Sequence, residues 1–418
     1  MNHTRIGIIG AGAAGLTAAD SLKKQGFENI ILLEKESLPG GKCCSVEYDG
    51  RIYELGAGIV AANHKTIMDL VKSTGIHLTE VEYEDNNLYD SKTGKSTEDT
   101  TAGDEIALLW ELFLRYKHLY HQYKEIGNPG FAGLPPDLFM NFAAWAKLHK
   151  IQLMQKHFER FFTGFGYGFW DSVPAAYVLK YFDWPTLKSY IRKDIYIFPD
   201  GIQSLWIKVA KQFNVLYDTT IQKITRRKHI TVETNKDTYV FDVLIISSPL
   251  DEVLQFLDAS TEETSLFSKI IYNDYRTIAC TLHQFPKHTG FIPGHFNRDK
   301  MGHVMFWYKR YPCSDLYTIY VFGDGKMTNE EISFSLREDI KRLGGDLIQI
   351  HSIRNWKYFP HVNSEDMTNG YYDRLEKIQG EKNTFYIGEL LNFSMVEHTA
   401  AYARNLVETR ISTESIYS

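Results

Sequence analysis

The sequence is poor in cysteine and contains no long apolar run. None of its four cysteines, Cys43, Cys44, Cys280 and Cys313, forms a C-x-x-C pair, which excludes a disulfide framework and the common zinc-site spacings. We expect free thiols in a reducing cytoplasm. No stretch approaches the roughly 20 apolar residues of a transmembrane helix. The apolar N-terminal stretch is interrupted by glycines and follows no basic region, so we do not expect a signal peptide.

The chain also lacks a net positive charge. The chain of 418 residues has a formal net charge of -6, which gives no general attraction to nucleic acid, so no nucleic-acid partner is expected. Its 15 histidines are scattered and form no metal-ligand motif, and the sequence contains no recognisable nucleophile elbow. We predict neither a metal site nor a catalytic nucleophile, and we interpret His295, His303 and His361 as structural residues.

The N-terminal stretch carries a nucleotide-binding pattern. The apolar run Ile6–Ile9 predicts a buried parallel strand over residues 5–10. The alanine-rich stretch that follows predicts a helix over residues 13–25. A second apolar run, Ile30–Leu33, predicts the next strand. Strand, helix and strand in this order form the βαβ unit that binds nucleotides.

Three glycines and one acid in this unit suit a dinucleotide. Gly10 permits a tight turn, Gly12 lets the backbone approach a pyrophosphate, and Gly15 lets the helix pack closely on the strand. The helix N-terminus favours the pyrophosphate anion. Glu34 lies 19 residues after Gly15, where a carboxylate accepts the ribose hydroxyls. These features together predict dinucleotide binding.

The later loops favour FAD over NAD. Gly40-Gly41-Lys42 follows the ribose acid closely, where a loop passes the FAD pyrophosphate in flavoprotein oxidases; the alternative is an ordinary turn. Gly56-Ala57 predicts a second loop against the flavin. A strand over 385–387 leads into Gly388-Glu389 and a helix over about 396–410, whose N-terminus would face the flavin pyrimidine. The alternative is a terminal strand and helix without a site.

Aromatic residues make up 14% of the chain and are densest between residues 161 and 190. Gly164, Gly166 and Gly168 interrupt the first part of this segment. Rings on such a loop suit a wall that faces an apolar ligand or a flat cofactor. We interpret the aromatic stripe on the preceding helical stretch, residues 104–126, as core.

The complete pattern predicts an α/β chain with a Rossmann-like FAD-binding domain, a mixed-sheet substrate domain and a helical insertion. The other predicted elements are a helix over 64–75, a hairpin over 80–95 with turns at Asn86-Asn87 and Thr93-Gly94, helical stretches over 104–126 and up to Phe162, strands over 230–234, 238–241, 242–249, 275–285, 302–311 and 316–323, and a helix from a capping box at Thr328 to about Arg342. We assign residues 1–75, 195–260 and 356–418 to the FAD-binding domain, 76–100 to a substrate-domain hairpin, 101–194 to the helical insertion and 261–355 to the substrate domain.

Several stretches carry a family resemblance. They occur in the same order along nearly the whole chain, at Phe162–Gly168 (FTGFGYG), Val173–Tyr181, Phe267–Ile271, Gly302–Met305, Tyr358–Met367 and Asn383–Glu389. The chain resembles the polyenoic fatty acid isomerases, the FAD-dependent linoleate isomerase type, within the flavin amine-oxidase superfamily.

This resemblance implies FAD as the cofactor and a redox-neutral reaction. In that reaction flavin N5 takes a hydride from the methylene group between two cis double bonds of a polyunsaturated fatty acid or related apolar acyl substrate, and returns it to an end carbon to give a conjugated diene. No protein side chain is expected to be catalytic, because the flavin is the hydride acceptor. The implied partner is a small fatty acyl molecule, and transient contact with a membrane surface stays open.

The resemblance and the motifs together define the expected site. The residues expected to bind FAD are Gly10, Ala11, Gly12, Ala14, Gly15, Glu34, Lys35, Gly41, Lys42, Gly56, Ala57, Ile221, Ser248, Trp356, Gly388, Glu389 and Val396. Ile221 is expected near the adenine, and Trp356 near the flavin ring. The residues expected to line the substrate pocket are Phe165, Tyr167 and Tyr190.

One position departs from the family pattern. In the isomerases an arginine shortly after the counterpart of Gly75 pairs with the fatty acid carboxylate. Residues 75–95 of this chain contain no arginine and are rich in acids. Arg192 and Lys193 are close in sequence to Tyr190 and could replace the anchor, and Arg192 is the residue that we predict to bind the substrate; the alternative is that the substrate is not a free long-chain acid.

Two other functions stay open from the sequence alone. The first is an FAD oxidase or desaturase of the same superfamily that passes electrons to oxygen. The second is a non-catalytic FAD-binding module. The sequence predicts no oligomeric state.

Overall fold

The structure is a computed structural model that describes residues 3–81, 87–97 and 102–411. β-Strands form its centre. The strands are β1 (Ile6–Ile9), β2 (Ile30–Leu33), β3 (Ser45–Tyr48), β4 (Arg51–Glu54), β5 (Ile59–Ala61), β6 (Thr79–Glu80), β7 (Asn87–Tyr89), β8 (Ser96–Thr97), β9 (Ile195–Ile197), β10 (Asn214–Leu216), β11 (Ile221–Arg226), β12 (Ile230–Thr234), β13 (Thr238–Phe241), β14 (Val243–Ile246), β15 (Ile271–His283), β16 (Gly290–Phe291), β17 (Val304–Tyr308), β18 (Leu316–Gly323), β19 (Asp346–His361) and β20 (Thr384–Tyr386).

Helices connect and cover these strands. They are α1 (Ala13–Lys24), α2 (Lys65–Thr74), α3 (Ala102–Trp110), α4 (Lys117–Gln122), α5 (Phe142–His149), α6 (Gln152–Phe162), α7 (Ala175–Tyr181), α8 (Trp184–Arg192), α9 (Gln203–Ala210), α10 (Leu250–Val253), α11 (Thr261–Phe267), α12 (Asn329–Arg342), α13 (Ser364–Thr368), α14 (Tyr371–Lys377), α15 (Glu389–Asn392) and α16 (Val396–Arg410). A π-helical turn, Glu111–Tyr116, joins α3 to α4.

The nucleotide pattern folds into a parallel sheet of five strands in the order β10-β2-β1-β14-β20. Ile6 of β1 lies beside Val243 of β14 on one side and Ile30 of β2 on the other. β1 and β14 are buried along their whole length, as expected for parallel strands that are covered on both faces. The Rossmann-like arrangement predicted from the sequence is confirmed.

A second, mixed sheet of seven strands has the order β19-β15-β18-β17-β16-β7-β8. β16 and β7 pair in parallel, and the neighbouring pairs are antiparallel. On one face the sheet packs against Ile332, Leu336 and Ile340 of α12. The other face carries aromatic side chains. This sheet corresponds to the mixed-sheet substrate domain of the predicted fold.

The capping box predicted at the start of α12 is confirmed. The Thr328 side chain accepts a hydrogen bond from the Glu331 N–H, and the Glu331 side chain accepts one from the Thr328 N–H. The predicted strand over 316–323 is β18, and the strand over 302–311 is shorter, as β17. The strand predicted over 275–285 is β15, which begins earlier, at Ile271, and ends at His283.

The hairpin predicted over residues 80–95 is displaced. Glu80 pairs with Tyr196 of β9 in a separate sheet of three strands, β5-β9-β6. The hairpin joins β7 to β8 instead. A pattern of alternating residues does not specify a partner strand that is distant in the sequence, which explains why β6 was misassigned.

The two turns of that hairpin have different outcomes. At the second turn, the Gly94 N–H donates to the Asp90 carbonyl at 2.9 Å, and Gly94 has a φ of +68°. At the first, Asn87 belongs to β7 rather than to a turn, and Asn86 lies outside the described residues. The predicted turn at Thr93-Gly94 is therefore confirmed, and the assignment of Asn87 to a turn is wrong.

The predicted helical insertion is present between α3 and α8. The stretch over 104–126 comprises α3, the π-helical turn and α4, and the next stretch ends at Phe162 as predicted. It is interrupted between α5 and α6, where Lys150 has a φ of +56°. Tyr116, Tyr120 and Tyr123 of the aromatic stripe over 104–126 are buried, whereas Phe113 is 47% exposed, so the interpretation of the stripe as core is wrong for Phe113. The division of the chain into six segments stays a prediction; its boundary at 355–356 falls inside β19.

Candidate active site

The carboxyl ends of four parallel strands meet at one edge of the five-stranded sheet. Gly10 follows β1, Glu34 follows β2, Ser248 comes shortly after β14, and Gly388 comes shortly after β20. Ligands of open α/β sheets bind in the crevice at this edge. Residues predicted to bind FAD thus converge here from distant parts of the sequence.

The Glu34 carboxylate is held in place by backbone groups. Its Oε2 accepts a hydrogen bond from the Ala11 N–H at 2.6 Å, and its Oε1 accepts one from the Glu36 N–H at 2.9 Å. A carboxylate oxygen accepts more than one hydrogen bond, so ribose hydroxyls can still bind. The Thr219 N–H donates to the Glu34 carbonyl at 2.8 Å, which brings Ile221 to the same end of the site. Lys35 is exposed next to Glu34.

The first turn of α1 leaves room for an anion. A Cβ atom at Gly12 would meet only the Gly41 Cα, at 3.8 Å, whereas one at Gly15 would lie 2.0 Å from the Gly10 carbonyl oxygen. No side chain caps the N-terminus of α1, where Ala14 lies in the first turn, so its N–H groups remain available. The Ser248 Oγ is buried without a hydrogen-bond partner among the described residues. This cradle fits a bound dinucleotide.

Lys42 lies on the first of the two loops that are predicted to contact FAD. It contacts the second loop and also the C-terminal part of the site. Its Nζ donates to Glu389 Oε2 at 2.8 Å and to the Lys357 carbonyl at 2.6 Å. The Ala57 N–H donates to the Lys42 carbonyl at 3.2 Å. A Cβ atom at Gly56 would lie 1.8 Å from that same oxygen, so the second loop can lie this close only with glycine.

Trp356 and Val396 approach the same region from two further elements. The Trp356 Nε1–H donates to the Leu55 carbonyl at 2.8 Å and to Thr277 Oγ1 at 3.1 Å. Val396 is the first residue of α16, whose N-terminus has no side-chain cap. The carboxylate of Glu397 accepts from the N-terminal N–H groups of α2. This contact fixes the start of α16 relative to α2.

Aromatic rings surround Tyr167, one of the residues predicted to line the substrate pocket. Their centroids lie 4.8 Å away for Tyr181, 4.9 Å for Phe393, 5.4 Å for Tyr358 and 5.6 Å for Phe359. Burial, and then the neighbouring phenol of Tyr358, raises the pKa of Tyr167 well above its ordinary value. The phenol is therefore neutral at physiological pH. We name Tyr167 with these four rings the aromatic wall.

Phe165 lies against the aromatic face of the mixed sheet. Its ring centroid is 5.1 Å from that of Phe306 and 6.0 Å from that of Phe161. Gly166, between Phe165 and Tyr167, has a φ of +86°, and a Cβ atom there would lie 2.6 Å from the Tyr275 ring. The glycine thus lets the loop bend tightly over Tyr275 and present its two rings.

The structure separates the two predicted substrate residues of α8. Tyr190 is 39% exposed, and its phenol contributes, after burial, to the raised pKa of Tyr167. Arg192 is exposed and lies two residues further on, which is about 200° around an α-helix. Tyr190 is therefore brought near the aromatic wall, and Arg192 is not brought to the side of Tyr190.

Comparison with known proteins supplies the family. The sequence profile of the flavin containing amine oxidoreductases matches residues 13–389. The chain belongs to the flavin-containing amine oxidoreductase family. It is an FAD-dependent enzyme, and the predicted cofactor is thereby confirmed.

Relatives within this family confirm the resemblance to fatty acid isomerases. The chain is 30% identical to the CLA-producing fatty acid isomerase from P. acnes, with a TM-score of 0.92 over 98% of this chain and 99% of that one. It is 23% identical to a polyenoic fatty acid isomerase of Ptilota filicina over 96% of this chain and 94% of the relative. An FAD-dependent oxidoreductase of Apiospora sacchari is also 23% identical, over 93% and 88%. The alternative of a non-catalytic FAD-binding module is not supported.

Two residues next to the predicted substrate residues were missed from the sequence. Arg160 lies over the Phe161 ring, with its guanidinium carbon 4.9 Å from the centroid. Phe393 has a φ of +150°, a region that costs about 1–3 kcal/mol for a residue with a side chain and often marks a functional site. The position of Phe393 beside Tyr167 depends on long-range packing, so no local signal identifies it, and Arg160, which directly precedes Phe161, belongs to no recognised motif.

A buried polar cluster next to α8 was also missed. His64 Nδ1 accepts from the Ala61 N–H at 3.1 Å, and its buried Nε2 has no hydrogen-bond partner among the described residues. Burial, and then His398, lowers the pKa of His64 to about 4, so this imidazole is neutral. His398 Nε2 lies 3.6 Å from Asp183 Oδ2. The cluster places polar groups at the border of the helical insertion.

His295, His303 and Asp339 lie close enough to form a potential metal-ligand cluster, since their ligand atoms are within 4.8 Å of one another. The Asp339 carboxylate already accepts from the Val304 N–H at 2.9 Å and from Arg342 Nη1 at 2.8 Å. His295 Nδ1 donates to the Val304 carbonyl at 2.8 Å. The adjacent guanidinium disfavours a cation, so we interpret the cluster as a structural link between α12 and β17.

Proposed function

We propose that the protein is an FAD-dependent isomerase that moves a double bond of a polyunsaturated fatty acid, or of a related apolar acyl substrate, to give a conjugated diene. The observation that carries this proposal is the aromatic wall around Tyr167 in a chain that is similar over its full length to a fatty acid isomerase. Such a wall suits an apolar chain and offers it no ionised group.

Bound FAD supplies hydride transfer, so the chain itself needs no strong base. In this proposal the Gly12 cradle and Glu34 hold the dinucleotide, and Lys42 joins the loops around it through Glu389. The rings of Tyr167, Tyr358 and neighbouring residues exclude water. Their faces also stabilise positive charge that develops on the acyl chain.

The acid end of the substrate needs a cation other than the arginine missing after Gly75. Arg160 is the candidate that its surroundings favour, because its guanidinium stacks on Phe161, whose ring lies 6.0 Å from Phe165. A guanidinium binds a carboxylate in a bidentate manner. Arg192, the candidate proposed from the sequence, faces away from Tyr190 and is the second candidate.

The test is incubation of the purified, FAD-loaded protein with a panel of polyunsaturated acids and their esters. Conjugated-diene absorbance and hydrogen peroxide are followed with and without oxygen. The isomerase proposal predicts diene formation without oxygen and without peroxide. Product that forms only with oxygen, matched by peroxide, would instead establish the oxidase or desaturase alternative.

A further inference from the structure

The helical insertion presents an unusual apolar surface to solvent. Ile106, Leu109, Trp110, Phe113 and Leu114 are each between 45% and 61% exposed. Their spacing places them on one side of the helix that runs from α3 into the π-helical turn. We call this surface the 106–114 face. Monomeric soluble proteins rarely expose so many large apolar side chains together.

The opposite side of the same helix is firmly packed. Leu112, Tyr116 and Leu119 are buried in the main core. The Tyr116 hydroxyl donates to the Phe182 carbonyl at 2.7 Å, and the Glu111 carboxylate accepts from the Met154 N–H at 2.6 Å. The helix is thus amphipathic, and these contacts fix which side faces solvent. The exposure of its apolar side is therefore a defined feature of the fold.

Cationic side chains border the C-terminal part of the 106–114 face. Arg115 and Lys117 are exposed and Glu111 is buried, whereas Asp104 and the exposed Glu105 precede the face in the first turn of α3. Arg115 Nη1 donates to the Lys150 carbonyl at 2.9 Å, which brings the end of α5 alongside. There Lys147 and Lys150 flank the exposed Leu148. This local positive charge contrasts with the net charge of -6 for the whole chain.

The 106–114 face continues onto α8. Phe113 packs edge-on against Trp184 with ring centroids 5.2 Å apart. Tyr190 and Ile191 of the same helix are 39% and 41% exposed, with the exposed Lys188 beside them. The apolar surface and its positive border therefore extend towards the residue that approaches the aromatic wall.

We propose that the 106–114 face docks the protein onto the surface of an anionic lipid bilayer. An apolar helix side that carries tryptophan and is bordered by cations matches the boundary between headgroups and acyl chains. Docking through α3 and α8 brings the side of the aromatic wall towards the membrane, in which acyl chains are dissolved. Lipid docking itself does not depend on isomerase activity.

The test is co-sedimentation of the FAD-loaded protein with vesicles of saturated phosphatidylcholine, with and without phosphatidylglycerol. The wild type is expected to bind the anionic vesicles and to bind less in high salt. The double variant Trp110→Ser/Leu114→Ser should bind at least about tenfold more weakly, because two large apolar side chains no longer enter the bilayer.

The matched control is Phe334→Ser/Ile348→Ser, which removes two side chains of similar exposure, 68% and 54%, from the substrate domain. The control should bind like the wild type. Flavin content and circular dichroism verify that both variants are folded. The proposal is overturned if the wild type does not bind vesicles, if both variants lose binding equally, or if the face instead mediates a dimer that the 110/114 variant dissociates.

Discussion

Gly12 and Gly15 are one helical turn apart and have different tasks. Beside Gly12 lies open space bounded by Gly41, whereas Gly15 lies directly against the carbonyl oxygen of Gly10. A side chain at Gly12 would compete with the cofactor. A side chain at Gly15 would push α1 away from β1.

Gly12→Val should therefore yield a folded protein that has lost most of its FAD. Gly12 has a φ of -80°, which valine adopts readily, so the substitution affects the cradle more than the backbone. Flavin absorbance of the purified variant and a titration with FAD measure the loss. Gly15→Val should lose FAD and should also lower the melting temperature of the protein, because its side chain separates α1 from β1. A yellow, fully loaded Gly12→Val protein would contradict the cradle.

Glu159 provides a pH-dependent prediction. Burial raises the pKa of its carboxyl group from 4.5 to about 7. Between these values the folded state keeps a proton that the unfolded state has lost, so stability falls as pH rises through this window. Glu159→Gln should raise the free energy of unfolding by about 1–3 kcal/mol at pH 8 and change it little at pH 4.5.

Urea unfolding of the wild type and of Glu159→Gln at the two pH values measures this difference. Glu262→Gln is a suitable control, because its carboxyl is paired with Arg374 at the surface and its pKa is lowered instead. A stability gain in Glu159→Gln that is the same at both pH values would show that the carboxyl ionises normally in the folded protein.

The residues of the cradle could be predicted because their requirements are local. Glycines next to a strand and an acid at the end of the next strand stand at fixed distances in the sequence. Arg160 and Phe393 could not be predicted in this way. Phe393 is identified by Tyr167, a ring distant in the sequence that folding brings to it, and Arg160, although it directly precedes Phe161, belongs to no motif with a fixed spacing.

At the scale of elements, α6 and α8 carry the two candidate anchors for a carboxylate. Arg160→Ala should raise the KM for a polyunsaturated free acid several-fold and leave the KM for its methyl ester nearly unchanged. Only the free acid has a carboxylate that pairs with the guanidinium. Arg192→Ala is the matched comparison. Steady-state kinetics with both substrates measures the effects. If Arg192→Ala raises the KM for the acid relative to the ester and Arg160→Ala does not, the anchor lies on α8.

Element prediction succeeded where a single segment decides the structure. The capping box of α12 and the buried strand β14 follow from residues that are adjacent in the sequence. The failure at residues 80–95 has the opposite origin. β6 is defined by its pairing with β9, more than a hundred residues away, and acidic strand residues give little indication of their partner.

At the scale of the whole molecule, three separate parts of the chain build the candidate site. The N-terminal unit provides the cradle, the loop after α6 provides Phe165 and Tyr167, and the segment after β20 provides Glu389. The fold class could be predicted, since the alternation of strands and helices near both ends indicates a parallel sheet. The approach of Tyr190 to the aromatic wall, with Arg192 facing away, required the structure.

Among the residues that the structure describes, no helix is both long enough and apolar enough to cross a membrane. The proposed docking of the 106–114 face concerns the delivery of an apolar substrate, whereas the proposed roles of the aromatic wall and the cradle concern its chemistry. The two proposals can fail independently, because vesicle binding is measured without turnover.

The most direct test of the proposed reaction uses a polyunsaturated acid that carries deuterium on the methylene group between its double bonds. The purified protein is incubated with it without oxygen, and the conjugated product is analysed by mass spectrometry and NMR. We predict that one deuterium leaves the methylene carbon and is recovered at an end carbon of the former pentadiene unit. Product with hydrogen from solvent at that carbon, or no product without oxygen, would contradict the proposal.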